Sequence, residues 1–255
     1  MIRNKKGGID LATKYTKPHD VVAYECDVNG TMKLSTMIAV AIKVSEEQSN
    51  QLNRGSDFIQ QFGLTWIVTN YQFFITRLPK AGEKINVTTQ AQAYNKYFCY
   101  RHFWITTQEG EELVRIETIF ALMNLETRKM SSVPSEIIEP YESEKITKIK
   151  RYPKIDKVEH GLSLPFRVRF YDIDGNQHVN NSIYFNWMMD VLGYDFLTSH
   201  VPTYLNIRFD KEVEYGNEIE SHYEILQEKG IKSRHEIRIG DQTYCEALIE
   251  WQTKA

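Results

Sequence analysis

One short phrase, met twice, limits what this chain can fold into more than any other feature. YECDVNGT begins at Tyr24 and YDIDGNQH at Tyr171, both fitting Y-x-x-D-x-N at a spacing of 147 residues. The spacing pairs Asp27 with Asp174, Asn29 with Asn176 and Thr31 with His178. Further on, GEKI from Gly82 matches GNEI from Gly216 at a spacing of 134, so the first copy holds 13 more residues between the two points. Each match is short, but their order and surroundings agree. A 255-residue chain repeating itself over this interval reads as two tandem units rather than one large domain.

The residues after each phrase repeat a pattern too. A helix over about Leu34 to Leu52 is apolar nearly all round in its first two turns, through Leu34, Met37, Ile38, Val40, Ala41, Ile42 and Val44. Its counterpart, over about Ser182 to Leu197, carries Ile183, Tyr184, Phe185, Trp187, Met188, Met189, Val191, Leu192 and Tyr194. Helices with so little polar face must be wrapped on several sides. Strand signals come next, at Trp66 to Ile75, Val87 to Tyr94, Phe98 to Thr106 and Leu113 to Leu125 in the first half. The second half offers Tyr204 to Val213, Ile219 to Leu226, Ile231 to Ile239 and Tyr244 to Trp251. The expected class is α+β, a tandem hotdog in which each half is an antiparallel sheet wrapped around a buried central helix.

Between the halves, Ser131 to Leu162 carries Pro134, Pro140 and Pro153 among many charges and reads as a linker. The division predicted is an N-terminal domain over 1–140, a linker over 141–160 and a C-terminal domain over 161–255.

Lys plus Arg number 31 against 34 for Asp plus Glu, so no global positive field exists to hold nucleic acid. Cys26, Cys99 and Cys245 are odd in number and far apart, which argues against a disulfide framework and a zinc knuckle and suits a reducing compartment. The opening MIRNKKGGID lacks the apolar core of a signal peptide, and no run approaches a membrane span. A cytoplasmic protein without membrane partners is expected.

The stretch richest in chemistry is FYDIDGNQHVNN, from Phe170 to Asn181. Asp174, Asn176 and His178 alternate just ahead of a helix start, where Asn180 or Asn181 can cap and free N–H groups project toward an oxyanion. The plainer reading is a turn shaped by Asp and Asn beside a structural histidine. Thr31 in the first copy shows that the turn's shape does not require the histidine. A calcium loop fails because glycine falls at the fourth position and Ile183 stands at the twelfth. His178 lacks a second His or Cys at zinc-ligand spacing. No G-x-S-x-G, dinucleotide fingerprint or P-loop is present, so neither metal nor cofactor is expected.

NQHVNNSIYFNW, from Asn176 to Trp187, resembles the acyl-acyl-carrier-protein thioesterases of plants and bacteria. LTWIVTNYQFFITRLPKAGEKINVTTQ from Leu64 and MNLETRKMSSVPSE from Met123 resemble further segments of that family. The resemblance implies a catalytic set of Asp174, Asn176, His178 and a glutamate on the following strand. Aligning on the downstream glycine makes this Glu212, with Glu214 two residues on and on the same strand face. Val213 stands where many plant members have Cys, so a cysteine nucleophile is absent at that position.

The implied roles are Glu212 as general base on water, Asn176 and His178 positioning water and thioester, and Asp174 orienting His178 or Asn176. The first half has Leu78 in the place of Glu212. By resemblance it holds the acyl chain, with Ile42, Trp66, Val68 and Phe73 as tunnel or plain core. The implied partner is an acyl carrier protein bearing a phosphopantetheine-linked acyl chain, and a homodimer stays open as its assembly. The lysines from Lys145 to Lys157 could meet that acidic partner, although a solvated linker is the first expectation. An acyl-CoA thioesterase, a hydratase or dehydratase on the same fold, and a module that binds acyl thioesters without cleaving them are the rival readings.

Overall fold

A computed structural model describes residues 12–227 and 229–254. The opening segment and the first eleven positions of the predicted N-terminal domain lie outside the described residues. The first half contributes β1 (Tyr15–Asp20), α1 (Leu34–Gln51), α2 (Ser56–Gln60), β2 (Leu64–Ile75), β3 (Lys84–Tyr94), β4 (Phe98–Thr107) and β5 (Glu112–Asn124). After β6 (Met130–Ser131), α3 (Ser135–Ile138) and β7 (Glu144–Lys145), the second half begins at β8 (Leu162–Arg167). It continues with α4 (Asn181–Asp190), α5 (Tyr194–Ser199), β9 (His200–Phe209), β10 (Glu218–Leu226), β11 (Ile231–Ile239) and β12 (Gln242–Thr253).

The main path of the sheet runs β1-β3-β4-β5-β2-β9-β12-β11-β10-β8. Outward from its centre, each half has the same order, and the halves join where β2 and β9 pair antiparallel with Tyr71 opposite Ile207 and Phe73 opposite Leu205. The central helices α1 and α4 pack against each other as well as against the sheet. One buried cluster therefore draws Met37, Ile38, Tyr71, Phe73 and Phe103 from the first half and Tyr184, Phe185, Trp187, Leu205 and Ile237 from the second. This is the double hotdog that the repeat predicts.

The departures have physical reasons. Edge strands β1 and β8 are mostly exposed and carry Pro18 and Pro165, so neither shows the apolar alternation that marks a strand in sequence. The expected second helix is broken at Gly193, which takes φ +80° between α4 and α5. Strand β9 ends at Phe209 instead of reaching Val213. There the Asp210 and Lys211 amides both turn onto the Tyr244 carbonyl, at 2.8 and 3.1 Å, and the chain leaves the sheet. In the connecting segment the lysines from Lys145 to Lys157 are exposed. Part of it docks on the body of the protein: Ile146 and Tyr152 pack on Tyr100 and Ile119, Ile155 is buried, and Asn206 Nδ2 donates to the Pro153 carbonyl (2.9 Å), while Ile149 stays exposed.

The two helices differ in bulk at matched positions. Tyr184, Trp187 and Met188 of α4 correspond, at the 147-residue spacing, to Met37, Val40 and Ala41 of α1. The second half is filled by its own side chains, whereas the first has room beneath its helix.

His235, on β11, is fully enclosed. It hydrogen-bonds Ser233 Oγ through Nε2 (2.8 Å), while Nδ1 has no partner among the described residues. Burial pushes its pKa from 6.5 down to about 3. The folded state therefore resists a proton that the unfolded state accepts, so stability is held above pH 6.5 and lost as pH falls from there toward 3. The expected slope is up to about 1.4 kcal/mol per pH unit. Urea unfolding at pH 7 and pH 5 should show this loss in the native protein and a smaller one in His235→Gln.

Candidate active site

The two copies of the repeated phrase fold into the same turn. In the second, the Asp174 amide donates to the His178 carbonyl (2.9 Å), and the Asp174 carboxylate accepts the Asn176 amide (2.8 Å). In the first, Asp27 bonds Thr31 and Asn29 identically, each at 2.9 Å. The residue before the His178 or Thr31 position is left-handed in both, as Gly30 (φ +71°) and Gln177 (φ +68°). A glutamine in that conformation carries strain a glycine does not. Thr31 Oγ1 turns back to the Asp27 carboxylate (3.1 Å), so the first turn closes on itself. His178 instead brings Nε2 to 3.3 Å from the Glu212 carboxylate.

Asp174 thus shapes the turn through backbone amides. Burial raises its carboxyl pKa, and the Asn176 amide is the main offset. The turn leads into α4, where Asn180 is the N-cap and its side chain accepts the Ser182 amide (2.9 Å). The Val179 amide donates to the Val213 carbonyl (2.9 Å), which fastens this turn to the loop after β9.

That loop carries Glu212. Its carboxylate lies 3.3 Å from His178 Nε2. The structure therefore brings Asp174, Asn176, His178 and Glu212 to one place, with Glu212 on a loop rather than a strand. Glu214 is exposed at the rim, its amide tied to the Asn217 side chain (3.0 Å).

Two contributors come from the first half, and no sequence pattern singles them out. Arg128, itself left-handed at φ +52°, reaches both oxygens of Glu212 through Nη2. Thr65 Oγ1, at the start of β2, donates to Asn176 Oδ1 (3.1 Å). Both lie in segments that carry the family resemblance, but nothing local tells which group across the interface they meet. The pseudo-equivalent Asn29 makes the reciprocal crossing, donating through Nδ2 to the Leu197 carbonyl (3.2 Å).

The four residues open on a cavity of about 1040 Å3 that extends beneath α1. Ile42, Trp66 and Val68 line it, with Ile38, Ala91 and Phe120. Phe73, the remaining tunnel candidate, is fully buried core. No group of three or more His, Cys, Asp or Glu among the described residues is placed to hold a metal ion, and no helix there is long and apolar enough to cross a membrane.

The acyl-ACP thioesterase N-terminal domain family matches residues 12–141, and the C-terminal domain family of the same enzymes matches residues 155–253. The chain belongs to the acyl-ACP thioesterase family. A crystal structure of a Lactobacillus plantarum protein described as an oleoyl thioesterase is 36% identical, with a TM-score of 0.92 over 96% of this chain and 98% of that one. The 12:0-ACP thioesterase from Umbellularia californica shares the fold at 21% identity and a TM-score of 0.85, over 94% of each chain. Among curated relatives, the chloroplastic acyl-[acyl-carrier-protein] hydrolase FATB3 of Cuphea viscosissima is 26% identical over 81% of this chain. The chain spans about half the length of the curated relatives it matches, 54% of that hydrolase and 52% of a Gossypium hirsutum palmitoyl-acyl carrier protein thioesterase. In this family setting, the histidine–carboxylate pair belongs to one half and the open cavity largely to the other.

Proposed function

We propose that the chain hydrolyses fatty acyl thioesters of acyl carrier protein, releasing free fatty acid and the carrier's thiol. The observation that carries this reading is the His178–Glu212 pair on the wall of a cavity of about 1040 Å3 that also has Ile38, Ile42, Val68 and Phe120 in its lining. In the proposed reaction Glu212 takes a proton from water as the water oxygen attacks the thioester carbon. The carbonyl oxygen gains charge beside the Asn181 amide, which opens α4 at the helix end that favours it; the Ser182 and Ile183 amides are taken by Asn180. The C–S bond then breaks, and the proton held by Glu212 passes to the departing sulfur. A thiol of pKa about 8.5 leaves readily, so little acid help is required.

His178 and Asn176 position water and thioester in this scheme. Arg128 holds the Glu212 carboxylate with a charge-assisted contact, leaving it lone pairs for His178 and for water. Asp174 keeps the turn in shape.

The test is thiol release from the same acyl chain carried on acyl carrier protein and on CoA. Faster release from the carrier protein supports the proposal. Preference for CoA favours the acyl-CoA reading, and binding without thiol release on either carrier rejects hydrolysis.

A further inference from the structure

Tyr71 of β2 belongs to the first half by sequence and to the start of α4 by position. It is 1% exposed, and its ring lies 6.3 Å from Phe185 of α4 and 6.0 Å from Phe209, where β9 ends ahead of the Glu212 loop. Asn181, the first residue of α4, stands one helical turn before Phe185 and so on the same helix face. Its side-chain amide approaches the Tyr71 hydroxyl as a donor, and both residues line the cavity together with His178. Burial pushes the phenol's pKa up, so the hydroxyl keeps its proton and stays a neutral acceptor for that amide.

The duplication supplies an internal comparison. At the 147-residue spacing Asn181 corresponds to Leu34, the first residue of α1, and at the 134-residue spacing Tyr71 corresponds to Leu205 of β9. Both leucines are buried in the same core cluster as Tyr71. The fold therefore puts two apolar side chains at these positions where Thr31 stands in the turn, and a polar pair where His178 stands. Burying a tyrosine hydroxyl costs free energy that burying a leucine does not. The apolar counterpart shows that the fold itself does not demand the polar pair.

What the pair secures is the first amide of the helix. Asn180 takes the Ser182 and Ile183 amides, which leaves the Asn181 N–H without an acceptor among the described residues, at the positive end of α4. An asparagine side chain left loose at a helix start turns back onto neighbouring backbone groups. Held on Tyr71, it stays clear of that N–H. We propose that Tyr71 is a positioning residue for thioester cleavage, fixing Asn181 so that its backbone amide faces the carbonyl oxygen as charge develops there. The effect is on the rate of the chemical step and is the same for every acyl chain. This inference rests on the thioester-hydrolase reading.

The test compares the native protein with Tyr71→Phe, which keeps the ring and removes the hydroxyl, with Asn181→Leu, and with the double variant. Thiol release is read on acyl-carrier-protein thioesters of several chain lengths, alongside thermal melts. In Tyr71→Phe kcat should fall roughly tenfold or more, a share of the roughly 100- to 1000-fold that loss of a whole oxyanion donor costs. KM should hold, and the fall should be equal at every chain length. Asn181→Leu should lower kcat at least as far, and the double variant no further, because Tyr71 acts through Asn181. Native kcat in folded Tyr71→Phe, a loss confined to KM, a loss that varies with chain length, or losses that multiply in the double variant each overturn the proposal. So does a Tyr71→Phe variant that fails to fold, since the hydroxyl is then structural. Absence of thiol release from every thioester by the native protein would instead remove the thioesterase reading.

Discussion

Glu212→Gln is expected to abolish turnover while leaving acyl-carrier-protein binding nearly intact. The substitution keeps the side chain's size and its place between Arg128 and His178, but an amide cannot take a proton from water. Removing a positioned base typically lowers rate by about 100- to 10,000-fold. The check is single-turnover thiol release alongside direct binding of an acylated carrier. Glu214→Gln serves as the control, since Glu214 is exposed and held by the Asn217 side chain rather than facing His178. Wild-type turnover in the Glu212 variant would remove Glu212 from the mechanism. Loss of turnover in the Glu214 variant alone would move the base to that residue.

The fold is legible in sequence wherever a local pattern carries it. Turn geometry is the clearest case, because Asp and Asn at fixed spacing form the same hydrogen bonds in both copies, whatever occupies the His178 or Thr31 position. Edge strands β1 and β8 are not legible, because exposed strands carry proline and polar residues rather than alternation. Nor is the break at Gly193, which the apolar residues around it, Val191, Leu192, Tyr194 and Phe196, disguise.

At the site, Asp174, Asn176 and His178 can be seen because they share one turn, and Glu212 through the family's downstream pattern. Arg128 and Thr65 act across the interface between the halves. Their partners lie 84 and 111 residues away, a separation at which no periodicity reports contact.

Phe73→Ala should cost about 3–5 kcal/mol, a large share of the roughly 5–15 kcal/mol that holds a typical domain folded. Phe73 is fully buried on β2, opposite Leu205 of β9, with its ring 6.1 Å from Tyr71 and 5.6 Å from Phe185 of α4. It therefore packs strand against strand and strand against helix across the seam between the halves. Because the buried cluster is continuous through that seam, the void should weaken both halves rather than the one that contains it.

Tryptophan offers the readout, with Trp66 and Trp104 in the first half and Trp187 and Trp251 in the second. Two reporter backgrounds, each keeping one pair and replacing the other by Phe, should give coincident urea midpoints before the mutation. After it, both midpoints should fall together. Separate midpoints, with only the first-half reporters shifted by Phe73→Ala, would mean that duplication left two cores merely touching. The pairing of β2 with β9 and the contact of α1 with α4 argue for the shared outcome, because neither half can bury its inner face without the other.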